Sequence, residues 1–562
     1  MVGQALDAAW TRIRVLLPGR ADLRAVRRRP GRDVLAGATV AVVALPLALA
    51  FGITSGLGAA AGLATAVVAG ILAAVFGGSN LQVSGPTGAM TVVLVPIVAV
   101  HGANGVLVVG LLAGLILVGL AFAGAGRYMR FIPLPVVEGF TVGIALIIGL
   151  QQVPAALGVE SSGGGVLASA AEAVTQWWQD PTWQAPVIAA SVVAVMLLAA
   201  WLRPGIPLSL PAVIAAAVVV AVAAWPVATV GALPAGLPAP ALPHVDTGSL
   251  GDLLLPAAAV AALAALESLM SATVADAMSV GERHNSDREL FGQGVANLAV
   301  PLFGGIPATA AIARTAVNVR SGASSRLAAV TQSVALLIVV LVASRGVSAI
   351  PLAALAGVLI ATAVQMIEVS SVSAVLHSTR GDAVVLVITA VATLLLDLVT
   401  AVILGLVVAG VFALQQVAKS ARLDEIPLDD GDHSDEQRAL LDEHIVAYRL
   451  DGPLFFGVAH TFLLELSEVT VVRAVVLRMS HLAALDATGA SVLADTIRRL
   501  EGRGVTVLLS GVQNEHRKVL QRLGVYDVLA HERHVFDTTP AAIEHARVHA
   551  GRLGSHHDEP VT

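Results

Sequence analysis

Two ionisable side chains stand inside apolar stretches of this sequence, where a charge is costly. Glu267 lies in AAVAALAALESLMSATVADAM (258–278), and Arg314 lies in AAIARTAV (310–317). Carboxylates buried in a membrane span are rare and usually mark ion paths or proton relays. An apolar setting favours the neutral acid, so Glu267 is a candidate proton carrier, with structural pairing to a nearby cation as the alternative. Ser271, one helical turn later, is expected on the same face.

Arg314 is a guanidinium that stays charged at any workable pH. Within an apolar region it is therefore expected either to pair with Glu267 or to add positive potential to an anion site. The structural pairing and the anion-binding role both remain open at this point.

Two short segments of similar sequence interrupt the apolar runs. FGGSNLQVSGPTGAM (76–90) and FGGIPATAAIARTAV (303–317) each begin Phe-Gly-Gly and each lead into a short helix-forming run. A broken helix survives at membrane depth only where protein buries it or where it lines a cavity. The N–H groups and positive dipole end of each following half-helix suit an anion. Glycines that merely allow close helix packing are the alternative, which the matched pair disfavours.

The elements that must hold these residues are membrane helices. The chain has 562 residues, 56% hydrophobic and only 13% charged, and its mean hydropathy is +0.83. Soluble domains average about 25% charged residues, so this is a polytopic membrane protein. There is no cysteine, which excludes disulfides and thiolate metal sites. The candidate spans are 34–54, 56–76, 86–101, 104–124, 131–153, 186–202, 207–225, 255–276, 289–302, 308–320, 325–345, 348–366, 384–396 and 398–418.

These fourteen spans divide into two halves of seven, and the breaks precede the third and tenth spans. Interrupted short helices at corresponding places of two halves indicate an inverted-repeat secondary transporter, in which lipid surrounds the spans. Residues 1–33 carry eight arginines, which predicts a cytoplasmic N-terminus, and an even span count returns the C-terminus to the cytoplasm. A nucleic-acid arm is not expected there, because the segment leads directly into a span.

The character of the chain changes after the last span of the 34–418 transport region. Residues 419–440 are acidic and polar and read as a linker, and 553–562 form a tail. Between them, over 441–552, strand-like and helix-like runs alternate, which predicts a soluble α/β domain. It has no P-loop and no G-x-G-x-x-G fingerprint, and the spans hold no three-histidine zinc constellation. We therefore expect a protein that is not an enzyme and needs no cofactor or metal.

Several motifs, in order along nearly the whole chain, resemble the SulP family of sulfate-permease-type anion transporters, relatives of prestin and the animal anion exchangers. The resembling stretches are SGPTGAM (84–90), RFIPLPVVEGFTVGIAL (130–146), ESLMSATVADAM (267–278), GQGVANLAVPLFGGIPATAAIARTAVNVRSGA (292–323) and LDATG (485–489). The resemblance implies a helical membrane protein of seven plus seven inverted spans, divided into core and gate domains. It also implies a C-terminal cytoplasmic STAS domain and a homodimer in a bacterial-type plasma (inner) membrane.

The family places its substrate between the third and tenth half-helices and the first span. Carried over by motif, the implied substrate-binding positions are Leu47, Phe51, Pro86, Thr87, Ala311, Ala313 and Arg314. In the eighth span the sodium-coupled bicarbonate member has Asp where Glu267 stands and Thr where Ser271 stands. That departure favours protons over sodium at Glu267 and Ser271. In the STAS domain Thr488 stands near a position phosphorylated in anti-sigma-factor antagonists; a helix N-cap at Asp486 or Thr488 is the simpler interpretation.

The sequence thus predicts a secondary transporter for a small anion, coupled to protons. C4-dicarboxylate or sulfate is ranked narrowly above bicarbonate. An anion channel, an exchanger without proton coupling and a sensor that signals through its STAS domain remain open alternatives.

Overall fold

The structure is a computed structural model that describes most of the chain. The described residues are 16–127, 133–160, 165–202, 208–234, 236–245, 248, 250–279, 283–396, 398–420, 422–425, 440, 444–454, 472–531 and 534–554. The first fifteen residues of the Arg-rich segment, most of the expected linker and the tail from 555 lie outside them. The chain divides into two compact units, residues 1–407 and 408–562.

The first unit is helical, as its apolar runs predict. Its helices are α1 Arg20–Arg28, α2 Pro30–Thr54, α3 Ala59–Phe76, α4 Gly88–Ala123, α5 Leu134–Gln151, α6 Val153–Leu157, α7 Val166–Gln179, α8 Gln184–Leu202, α9 Ser209–Ala223, α10 Leu250–Met278, α11 Ser286–Ala299, α12 Ile312–Arg320, α13 Leu327–Ser348, α14 Leu352–Met366, α15 Val369–Ser378, α16 Arg380–Leu395 and α17 Leu398–Ser420, the last of which runs across the unit boundary. Two short strands, β1 Ser84–Gly85 and β2 Thr309–Ala310, precede α4 and α12.

Each candidate span overlaps one of these helices, and by length and composition eight helices in the described part of the chain could cross a membrane. The fourteen-span, seven-plus-seven count stays a prediction. Helix α4 contains the expected third and fourth spans, and they part at Gly102, whose φ of 68° interrupts the helical geometry. Glycine adopts that backbone conformation without the steric cost that a Cβ would add. Helix α7 falls between two candidate spans, where no span was expected.

The second unit contains an α/β sheet. Its strands are β3 Arg422–Glu425, β4 Ile445–Leu454, β5 Ala474–Arg478, β6 Leu482–Leu485, β7 Thr506–Ser510 and β8 Val535–Phe536, and its helices after the sheet begins are α18 Ala487–Glu501, α19 Asn514–Arg522 and α20 Thr539–Gly554. The order is β3-β4-β5-β7-β8 with β6 beside β4, and every pair except antiparallel β3–β4 is parallel.

Side chains of β5 alternate between two apolar cores. Val475 and Leu477 belong to one cluster, whereas Ala474 and Val476 belong to another that also contains Ala542 of α20. This period of two shows that both faces of the sheet are covered, as in other parallel α/β sheets.

The expectation of a linker over 419–440 is wrong for its first residues. Helix α17 continues to Ser420, and 422–425 form β3, which pairs with β4 from Arg422↔Asp451 to Glu425↔Tyr448. Acidic, polar composition favoured a linker, but an antiparallel edge strand needs backbone hydrogen bonds rather than apolar side chains.

Asp486 is the N-cap of α18. Its side chain accepts a hydrogen bond of 2.7 Å from the backbone N–H of Gly489, as the simpler interpretation of the LDATG motif expects. Thr488, in the first turn of the same helix, is exposed. The structure thus gives Asp486 a capping role, and phosphorylation of Thr488 stays a prediction.

Candidate functional site

The two interrupted segments of the sequence meet in the structure. Strands β1 and β2 pair antiparallel, with Ser84 opposite Ala310 and Gly85 opposite Thr309. The N–H of Ala311 extends the contact by donating to the Val83 carbonyl at 3.1 Å. Helix α4 begins three residues after the end of β1, and α12 begins two residues after the end of β2, so the strand pair joins the segments that lead into both helices.

Polar side chains of α10 hold this strand pair. The Ser268 hydroxyl lies 3.0 Å from the Thr309 hydroxyl and accepts from the Ala310 N–H at 3.2 Å. The Ser271 hydroxyl lies 2.9 Å from that of Thr315, which also accepts from the Val83 N–H. All of these hydroxyls are buried, so their mutual bonds satisfy groups that lipid could not.

Helix α11 adds a second set of supports. Gln293 donates to the Ser84 hydroxyl at 2.6 Å. The Asn297 side chain donates to the Ala308 carbonyl and accepts from the Ala308 N–H. Gln293 and Asn297 are four residues apart and completely buried. They were not among the predicted site residues, although two amides four residues apart in the candidate span 289–302 were a visible signal.

The N-terminus of α4 is capped by Thr87, which also contacts Glu267. The Thr87 Oγ1 accepts from the Met90 N–H at 3.3 Å and donates to the Glu267 carboxylate at 2.9 Å. Thr87 is buried, whereas Glu267 is partly exposed. The structure therefore joins the predicted carboxylate directly to the first turn of one half-helix.

The N-terminus of α12 has no side-chain cap, because its N-cap residue is Ala311. Serine, threonine, aspartate or asparagine at that place would accept from the first-turn N–H groups, and alanine cannot. Ala311 is partly exposed, and Ile312 and Ala313 in the first turn are exposed. The residues that begin this helix therefore lie partly at the surface of the first unit.

Arg314 lies between the two helix beginnings. It is 1% exposed, and its Nη2 donates to the Pro86 carbonyl at 2.9 Å. Its Nε and Nη1 are buried and have no hydrogen-bond partner among the residues that the structure describes. No hydrogen bond or ion pair joins it to Glu267 among the residues that the structure describes, so the direct pairing considered from sequence is not seen.

Phe51 and Leu47 both lie on α2 and are buried. A Cβ built on Gly88 would lie 3.1 Å from Cε1 of Phe51, which places this ring against the first turn of α4. Leu47 is one turn before Phe51 on the same helix face. Ser271 bonds Thr315 rather than Glu267, so its role here is to hold α12 against α10.

A cavity of about 660 Å³ lies elsewhere in the first unit, at the C-terminal end of α2. Ile53 and Thr54 of α2, Val95 of α4 and Gln151 and Gln152 at the end of α5 contribute to its walls. Val95 lies about two turns beyond the start of α4, and no residue of the β1–β2 pair is among those lining this cavity in the described part of the chain.

The chain is similar in sequence to known protein families and to individual transporters. Residues 31–389 match the sulfate permease family, and residues 438–542 match the STAS domain. The chain is 34% identical over 520 residues to the putative sulfate transporter YvdB of Bacillus subtilis (strain 168), covering 90% of this chain and 96% of that protein. It is 30% identical over 544 residues to the bicarbonate transporter BicA of Synechocystis sp., covering 94% and 95% respectively.

Solved structures agree on the fold. The transmembrane domain of a cyanobacterium bicarbonate transporter BicA is 32% identical, with a TM-score of 0.62, and the match covers 67% of this chain and 98% of that one. The murine Solute Carrier 26 family member A9 anion transporter in the inward-facing state has a TM-score of 0.82 at 19% identity, covering 95% and 94%. These relatives are transporters rather than enzymes. The chain is thus an integral membrane protein of the sulfate permease family with a C-terminal STAS domain.

Proposed function

We propose that the chain is a secondary anion transporter that holds its substrate at the adjoining N-termini of α4 and α12. The observation that carries the proposal is the start of α12, which has no side-chain cap and is partly exposed. Beside it lies the buried Arg314 guanidinium, whose Nε and Nη1 have no hydrogen-bond partner among the described residues. A buried donor without a partner costs about 1–3 kcal/mol, which an anion accepting from it would offset. Helix dipoles add positive potential at the same place.

Glu267 is the proposed proton carrier. Its carboxylate accepts from Thr87, the residue that caps α4 at the proposed anion site. A charged Glu267 repels an anion there, and protonation removes that repulsion. Proton and anion then favour each other's binding by the same factor, which is the thermodynamic basis of symport.

The proposed transport cycle is alternating access, in which a core domain carries the site past a gate domain. A site built from two half-helix ends can move as one body, because β1–β2 and the hydroxyls of α10 tie those ends together. We further propose that the protein is a homodimer in the plasma membrane with both termini cytoplasmic. The homodimer and the plasma membrane are proposed from family resemblance, and the cytoplasmic termini from the Arg-rich start of the chain and the even number of expected spans.

Sulfate and bicarbonate are the substrates that the named relatives favour, and a C4-dicarboxylate is the third candidate from the sequence motifs. All three are oxyanions with planar or tetrahedral groups, and their oxygens can accept hydrogen bonds from an arginine guanidinium and from helix N–H groups. Uptake of labelled sulfate, bicarbonate, succinate and fumarate into proteoliposomes tests the proposal. Proton and sodium gradients should be imposed separately.

We expect one of these anions to accumulate with a proton gradient and without sodium. Accumulation that requires sodium would contradict the proton assignment. Flux far above carrier turnover under voltage clamp would favour a channel instead.

Gly85→Ala is expected to weaken substrate binding by displacing Arg314. A Cβ at this position would lie 2.7 Å from Arg314 Nη1, with the Cα of Ala66 at 3.4 Å behind it. Overpacking of this kind costs about 1–3 kcal/mol, so affinity should fall about fivefold or more. The measurement is binding of the transported anion by isothermal titration calorimetry.

The matched control is Gly149→Ala, since a Cβ on this helical glycine meets no atom within 4 Å. Both variants should be checked for a monodisperse, folded preparation. Equal affinity in the Gly85 and Gly149 variants would show that the position of Arg314 against Gly85 does not matter for binding.

Removing residues from about 440 onward should leave substrate binding intact. Every residue of the proposed site lies in the first unit, residues 1–407. The transport rate or the stability of the dimer is free to change. The measurement is anion binding by the truncated protein against the full chain, and a folded truncation that binds nothing would contradict the proposed division between the units.

A further inference from the structure

Three histidines converge in the second unit, whereas the proposed transport site belongs to the first unit. His534 directly precedes β8, and His545 and His549 lie one turn apart on α20. One ring nitrogen from each of the three lies within 4.8 Å of those from the other two. Within the described part of the chain, this is the one group of three or more metal-ligating side chains so placed.

The spacing within this cluster fits a transition metal. Nε2 of His545 and Nε2 of His549 are 3.3 Å apart. Zinc–nitrogen bonds of about 2.0–2.1 Å in a tetrahedral site put ligand nitrogens about 3.3–3.4 Å from each other. Two histidines four residues apart on a helix present their rings on one face, a spacing common to helical zinc sites.

A simple hydrogen bond between His545 and His549 accounts for only part of the arrangement. The His534 ring centroid lies 5.6 Å from that of His545 and 5.1 Å from that of His549. His534 is 2% exposed, and its Nδ1 is buried without a hydrogen-bond partner within the described part of the chain. A buried imidazole nitrogen with no partner is unfavourable unless something else binds the ring.

We propose that His534, His545 and His549 form a binding site for a divalent transition-metal cation of the zinc class in the STAS domain. Imidazole ligands suit zinc, copper and nickel rather than magnesium or calcium. The metal would join α20 to the start of β8, two elements that are separate in sequence, and would leave a fourth coordination position for water. This proposal differs from the expectation, drawn from sequence, that the protein needs no metal.

Zinc binding by the full-length protein, purified in detergent without a polyhistidine tag, tests the proposal. The protein is titrated with zinc in competition with a chromophoric chelator, and with cobalt(II) to follow its visible absorption. We expect one tight site per chain. Loss of a ligand should weaken it by more than about 100-fold, since even outer-shell changes cost about 10–100-fold.

The variants are His545→Ala and His549→Ala, at half-buried helix positions where alanine preserves helix propensity. The matched controls are His481→Ala, an exposed histidine of the same domain, and His556→Ala with His557→Ala in the tail. Unchanged zinc affinity and cobalt spectrum in both cluster variants would overturn the proposal. So would a wild-type protein that binds no zinc, or binding lost only in the tail variant.

Discussion

Glu267→Gln is expected to abolish anion accumulation driven by a proton gradient while leaving anion binding intact. Glutamine keeps the shape of the side chain and can still accept from the Thr87 hydroxyl, but it cannot release a proton. A tenfold proton gradient supplies about 1.4 kcal/mol, enough for about tenfold accumulation per coupled proton, and the variant should show none of it. Anion exchange, which moves no net proton, should continue.

The measurement is uptake into proteoliposomes at a fixed outside pH with varied inside pH, and with sodium replaced by choline. Glu138→Gln is the matched control, because Glu138 is a half-buried carboxylate that bonds Ser371 away from the proposed site. Full proton-driven accumulation by the Glu267 variant would show that this carboxylate does not carry the proton. A sodium requirement in the wild-type protein would point to the same error.

Arg314→Gln is expected to weaken anion binding about tenfold to a hundredfold. The substitution removes the positively charged guanidinium, whose Nε and Nη1 have no hydrogen-bond partner in the part of the chain that the structure describes. Hydrogen bonds to charged groups contribute about 1.5–3 kcal/mol, which corresponds to that range of affinity. Arg314→Lys should recover only part of the loss, because lysine keeps the charge but not the planar fork.

Affinity for the transported anion can be read by calorimetry on monodisperse protein. Arg320→Gln is the matched control, since Arg320 is an exposed arginine at the other end of the same helix α12. If Arg314→Gln folds and binds with wild-type affinity, the guanidinium serves only to join α12 to the Pro86 carbonyl.

The sequence predicted well those features that local chemistry determines. Glycine and proline mark the two helix breaks, and the cap at Asp486 spans three residues, so both could be recognised from neighbours alone. Charge inside an apolar run drew attention to Glu267 and Arg314 for the same reason. The family matches then confirmed the sulfate permease family and the C-terminal STAS domain that these motifs predicted.

Features that depend on distant partners could not be predicted in the same way. The register of β1 against β2 joins segments more than 200 residues apart, and no local pattern specifies it. Ser271 shares a helix with Glu267, but its partner Thr315 comes from α12, and this contact decided its role. Strand β3 could not be predicted from its acidic sequence, because its stability comes from pairing with β4.

The central claim is that the anion binds where α4 and α12 begin. A structure of the full chain determined with the transported anion, or with selenate if sulfate is transported, tests this most directly. We predict density between the first turns of the two helices, within hydrogen-bond distance of the Ile312 or Ala313 N–H and of the Arg314 guanidinium. Anion density elsewhere in the membrane unit, with these groups still uncontacted, would contradict the account.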